Sequence, residues 1–144
     1  MRIHSTLREY PPARLRVLLG DLPQARGYRL VVKPLRYRTR PHLQGLCDFT
    51  HRVIVIQVPE PFRPFRVRIA YRARRLRGRA GRDAFAFRWS YRTVRFATRR
   101  DVIRFLYCHE YHHYYLREVL GRKGYAETAC DRFALEQFRR RRTR

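Results

Sequence analysis

A chain of 144 residues with 35 Lys+Arg against 11 Asp+Glu carries a formal charge of +24 at pH 7, an excess that points to a polyanionic partner or surface. Its 44% hydrophobic content is enough for the core of one domain of this length. No apolar run approaches the roughly 20 residues of a membrane span, and the first residues lack the apolar stretch of a secretory signal. Cys47, Cys108 and Cys130 are odd in number, scattered and without a CxxC pair, so reduced thiols in a cytoplasmic or nucleoid-associated protein are expected rather than a disulfide framework.

In chain order, a short helix is expected over Leu7–Leu19, interrupted early by Pro11-Pro12 and closed at Gly20. Tyr28 to Arg38 reads as a strand in which Pro34 marks a bulge or an edge. Arg52 to Val58, centred on Val53-Ile-Val-Ile56, is the strongest strand signal, and Pro59, Pro61 and Pro64 break the segment after it. Two further strands, Phe65 to Arg74 and Asp83 to Ala97, flank the turn Arg77-Gly-Arg-Ala-Gly81, with Ser90 marking a break in the second.

These two strands are the basic part of the chain: fourteen arginines and one acid, Asp83, lie between Phe62 and Arg100. Apolar and basic residues alternate in the first strand, which puts Arg66, Arg68, Arg72 and Arg74 on one face of an ideal strand. Arg88 and Arg92 stand among Phe85, Phe87, Trp89 and Tyr91 in the second. Arginine suits phosphate because its guanidinium makes bidentate contacts and stacks on bases, so these six arginines are the candidate contacts to DNA or RNA. The alternating aromatics fit the buried side of a sheet better than a base-stacking platform. A genome biased toward arginine codons gives the same enrichment with no nucleic acid bound.

Thr98 is placed to N-cap a helix, with Asp101 at the third position as a weak capping box. Val102, Leu106, His109, His113, Leu116 and Leu120 then keep helical spacing, and Gly121 is a natural stop. Inside this stretch His109-Glu110-Tyr111-His112-His113 reads HExxH. Residues i and i+4 share a helix face, so the two histidines can present nitrogens to one tetrahedral zinc. Glu110 then stands beside the metal as the general base for a water whose pKa zinc brings to about 7. The plain alternative is two core histidines, each needing a buried partner for its ring nitrogens.

After the turn Gly121-Arg-Lys-Gly124 a second helical pattern runs from about Tyr125 to Arg139, carrying Glu127 and Asp131 four apart on one face. Glu127 is the expected third metal ligand, and Asp131 the carboxylate that fixes a ligand histidine by a hydrogen bond. Asp131, Cys130 and His112 are the other candidates for third ligand, and both carboxylates also suit a helix N-terminus without any metal. Tyr111, Tyr114, Tyr115 and Tyr125 are the candidate oxyanion donors. The tail Arg139–Arg144 reads as a solvated or phosphate-contacting extension. Five of the eleven acids fall between Glu110 and Glu136, so the basic surface and the chemical site are separable.

HEYHH followed by ETACD resembles the HExxH plus ExxxD signature of gluzincin metallopeptidases. The run Glu127 to Ala134 is similar to the glutamate-bearing helix of ImmA/IrrE-type proteases, and the short gap from His113 to Glu127 is similar to that of SprT-like proteases. SprT-like proteins carry histidine where this chain has Glu127, and gluzincins usually have a longer gap. The resemblance covers roughly residues 92–138 and implies a small zincin: Zn2+ on His109, His113 and Glu127, Glu110 as base, and a protein or peptide substrate, cut where nucleic acid recruits the enzyme. The expected fold is α+β in one domain, 1–144. It has a mainly antiparallel sheet of four to five strands (the basic region, about 28–97) packed on the HExxH helix, and a ligand helix that completes a hairpin over about 98–138. An edge strand beside the cleft would hold substrate by main-chain pairing, with Arg92 to Ala97 the candidate neighbour. The competing expectation is a nucleic-acid-binding or ribosome-associated protein whose zinc is structural, with four protein ligands, or absent.

Overall fold

The computed structural model describes residues 1–76, 86–124 and 126–142, with side chains left out at 72–76, 86–89 and 141–142. Strand β1 (Arg2–Ser5) leads into helix α1 (Pro12–Leu19), whose first position is a proline pre-set for it, and then into strand β2 (Arg29–Leu35). A helical crossover between strands gives a parallel pair, and Arg2↔Arg29 through Ser5↔Val32 run parallel. Strand β4 (Val53–Pro59) continues the sheet parallel to β2, and β3 (Gln44–Asp48) adds antiparallel to the outer side of β4. The sheet is therefore mixed, in the order β1-β2-β4-β3.

This corrects the expected mainly antiparallel sheet. Neither β1 nor β3 stands out in the sequence, the first having one buried apolar residue, Ile3, and the second being a five-residue run that contains Gly45 and is bounded by Gln44 and Asp48. Pro34 leaves this sheet intact. The Val32 carbonyl accepts from Thr6 N–H at 2.9 Å, so alternate residues of β2 face β1, and Pro34 lies beyond the last β1 pair.

Strands β5 (Phe65–Leu76) and β6 (Ala86–Phe96) form a separate antiparallel pair. The turn expected over 77–81, together with Asp83 and Phe85, lies outside the described residues. The irregularity expected at Ser90 falls on the partner strand, since Ala70 pairs with Tyr91 and Arg72 with Ser90, leaving Tyr71 over. An extra residue of this kind reverses the alternation of faces beyond it. By register, Arg72 and Arg74 do not continue the row begun by Arg66 and Arg68.

Helix α2 (Arg99–Tyr114) starts as its sequence dictates: Thr98 Oγ1 accepts from Asp101 N–H at 3.2 Å, and the Asp101 carboxylate accepts from Ala97 N–H at 3.1 Å. Beyond Tyr114 the helix widens into a π-turn (Tyr115–Val119), with Leu120 N–H donating to the Tyr115 carbonyl, and it ends at Gly121, whose φ is 64°. The widened turn breaks the 3.6-residue phase, so Leu120, expected in the apolar stripe, is 45% exposed. Helix α3 (Glu127–Arg142) packs against α2 and β5.

The core face of the sheet carries Leu30, Val32, Ile54, Ile56 and Val58, all fully buried, and α2 crosses β3 and β4 on that side. The opposite face presents Arg29, Lys33, Gln44 and Leu46. Phe96 of β6 meets Phe65, Phe105 of α2 and Phe138 of α3 at ring-centroid distances of 5.2, 5.2 and 5.9 Å, fastening the hairpin to the helices. No described helix is long and apolar enough to cross a membrane.

Candidate metal centre

Two histidine or acidic side chains are buried among the described residues, and they are neighbours, His109 and Glu110. The helical rise brings His113 one turn on, so that the two histidine Nε2 atoms face each other at 3.2 Å. Glu127, the first residue of α3, closes the group, with its carboxylate oxygens 3.1 Å from His109 Nε2 and 2.8 Å from His113 Nε2. These three residues could hold a metal ion. Ligands bound at about 2.0–2.1 Å in a tetrahedron stand about 3.3 Å apart, so the spacing and the donor set of two imidazoles and a carboxylate both fit zinc. The other nitrogen of His109 lies 2.8 Å from Asp131. With Nδ1–H donating there, the Nε2 lone pair is left facing His113 and Glu127.

Charge in the group follows from burial and from these contacts. Burial works against protonation of His109, but the Asp131 hydrogen bond and the charges of Glu110, Asp131 and Glu127 outweigh it and raise its pKa. His113 is lowered, by burial first and then by the neighbouring His109. Burial, reinforced by Glu127 and Asp131, pushes Glu110 up to about 7 against the pull of His109 and the Cys47 amide. The Glu110 carboxylate is 4.0 Å from His109 Nε2, beside the centre rather than in it. It occupies space that Gly45 leaves free, where a Cβ would come 2.9 Å from Glu110 Oε1.

A cavity of about 380 Å³ opens on the group, lined by Gly45, Leu46, Cys47 and Phe49 on one side and by Glu110, His113, Arg117 and Glu127 on the other. A smaller one adjoins it along Gln44, Gly45, His109 and Asp131. The strand beside the cleft is thus β3, not the Arg92 to Ala97 segment, whose residues 92–95 line a different hollow with Leu135 and Arg139. Of the expected tyrosines, Tyr111, Tyr114 and Tyr115 do not line the cleft either. Tyr114 packs edge-on against Tyr28 at 4.9 Å, Tyr111 stacks between Tyr107 and Tyr115, and Tyr125 lies outside the described residues. Arg117, which does line it, went unnoticed in the sequence, although its position four residues after His113 is the signal that finds it.

Cys130 and His112 are not part of the group. Cys130 is fully buried, and burial raises its pKa. The His112 ring stacks on Phe133 at 4.7 Å, with a buried Nδ1 that has no hydrogen-bond partner; burial lowers its pKa.

Of the six candidate nucleic-acid contacts, Arg66 and Arg68 are exposed on the outer face of the hairpin. Arg66 stands opposite Arg95, and the Arg68 guanidinium lies 3.9 Å from the Tyr91 ring centre. Arg92 is on the other face: its register partner is the buried Ile69, and it sits over the Tyr71 ring at 5.3 Å. The side chains of Arg72, Arg74 and Arg88, like those of Phe87 and Trp89, lie outside the described residues. Compared with known proteins, the chain matches no family model, no curated protein and no solved structure.

Proposed function

We propose that this chain is a zinc-dependent endopeptidase of the HExxH type. One observation carries the reading: His109, His113 and Glu127 converge within ligand distance of one another, with a second carboxylate, Glu110, buried next to them but outside the ligand group. Bound there, zinc would polarise a scissile carbonyl and bring a water's pKa to about 7. Glu110 is placed to take a proton from that water and to return it to the leaving amine. Asp131 holds His109 in the tautomer that a ligand needs. Strand β3 ends the sheet beside the cleft with no further strand on its outer side among the described residues, and apart from the Cys47 amide, which meets Glu110, that edge is where an extended peptide can add.

Metal analysis of the purified protein, alongside peptide hydrolysis, tests this. Wild type and Glu110→Gln should hold one zinc per chain, only wild type should cleave, and His109→Ala, His113→Ala and Glu127→Ala should lose the metal. Full zinc retention by Glu127→Ala moves the third ligand elsewhere; normal cleavage by Glu110→Gln removes it as the base.

A second reading, a nucleic-acid-binding protein with a closed or absent zinc, draws on a separate observation. Arg66 and Arg95 face each other across the hairpin, a like-charge pair that is unfavourable until an anion neutralises it. The two readings combine in a peptidase recruited to DNA or RNA by this face. Salt-dependent binding with metal-dependent cleavage supports the combination, and binding without cleavage supports the second reading alone.

A further inference from the structure

We infer that Arg117 reads a carboxylate on the substrate and makes the cleft selective for acidic peptides. The inference rests on the peptidase reading and adds the substrate class to it. Among the described residues lining the two cavities at the centre, Arg117 is the one arginine or lysine, facing a floor that carries Glu110, Glu127 and Asp131. A positive end beside a negative floor gives a bound chain a preferred position.

The guanidinium is held ready for this. It lies over the Phe49 ring, 4.4 Å from its centre, a cation–π contact that holds at the cavity wall a group able to make a two-pronged carboxylate contact. Phe49 directly follows β3, the strand at the cleft. The helix supplies the alignment: Arg117 lies four residues, about one turn, after His113, and both line the cavity.

The test uses the full-length zinc-loaded Glu110→Gln protein and fluorescent peptides differing at one position, Glu, Gln or Lys, each with a free or an amidated C-terminus, at about 0.15 M salt. The Glu peptide should bind about tenfold more tightly than the Gln peptide. Arg117→Gln should erase this ratio, Arg117→Glu should favour the Lys peptide, and Phe49→Leu should reduce the ratio while the charge stays. Arg66→Gln, which removes the same charge from the hairpin, should leave it unchanged.

Discrimination that follows the side chain in amidated peptides assigns an acidic residue; discrimination that follows the free C-terminus assigns the terminal carboxylate. The inference is overturned if no peptide binds, if Arg117→Gln keeps the ratio, or if Arg66→Gln erases it equally. Wild-type cleavage of these peptides separates the two levels. Cleavage without any preference for carboxylate sinks the role of Arg117 and spares the peptidase; a ratio that depends on Arg117 without any cleavage does the reverse.

Discussion

The Asp131 carboxylate stands 2.8 Å from Nδ1 of His109, while Glu127, one turn earlier on the same helix, stands 3.1 Å from Nε2 of that ring. Two acids four residues apart on α3 thus address the two nitrogens of one imidazole from α2. Asp131→Asn keeps the shape and removes the charge that fixes the tautomer. Zinc affinity should fall about 10–100-fold, measured by competition with a chelator, with the fold unchanged. Unaltered affinity would mean that Asp131 does not orient His109.

Gly45→Ala should cost activity rather than fold. The added methyl group meets the Glu110 carboxylate at 2.9 Å, and a side chain can move where backbone cannot. Glu110 is only 5% exposed, so it has little free space to move into. A displacement of about 1 Å at a catalytic group lowers kcat/KM about 100-fold. Zinc content and circular dichroism should match wild type; an active Gly45→Ala protein would show that Glu110 needs no fixed position.

Arg104 ties the end of α1 to α2, donating to the Leu18 carbonyl at 2.6 Å and to both Asp21 oxygens at 2.7 and 2.9 Å. Arg104→Met should destabilise the chain by about 1–2 kcal/mol at neutral pH. The Arg104 hydrogen bond, against a smaller effect of burial, holds Asp21 below its ordinary pKa of 3.8. A carboxylate depressed in the folded state contributes stability that is fully present above its unfolded value and is lost as pH falls through its folded value. The Tm difference between wild type and variant should therefore narrow from about pH 7 to about pH 3, and a constant difference would rule out this pair as its source.

Phe96→Ala should be the most costly core truncation in the hairpin. The ring is fully buried among Phe65, Phe105 and Phe138, so urea unfolding should show a loss of about 3–5 kcal/mol. A loss below about 1 kcal/mol would mean that the hairpin is not anchored through this ring.

The parts of this architecture that sequence reasoning reached are those with strong local chemistry. Thr98 and Asp101 cap α2 through contacts within four residues, and Val53 to Ile56 announce β4 by composition alone. The spacing of His109, Glu110, His113, Glu127 and Asp131 made the cluster worth seeking before any fold was known. Strands β1 and β3 escaped because the sheet holds them through long-range pairing, with little apolar content of their own. The register shift after Ala70 was not foreseen, because no single residue type signals one unpaired residue in a strand. Arg117 was missed because the four-residue step from His113 that places it has nothing to distinguish it in a chain so rich in arginine.

A π-turn amounts to an α-helix carrying one surplus amino acid, so a single-codon deletion inside Tyr115–Val119 would restore regular winding instead of breaking the helix. The repaired segment would keep its hydrogen-bond ladder, and because five residues at the slower π winding turn through about as much as four at the α winding, Gly121 and the loop to Glu127 would stay near their places beside His109 and His113. Such a shortened chain would gain helical regularity and keep the Glu127 carboxylate in its cluster, so the irregular stretch is a surplus that the three-residue group tolerates rather than a spacer it depends on.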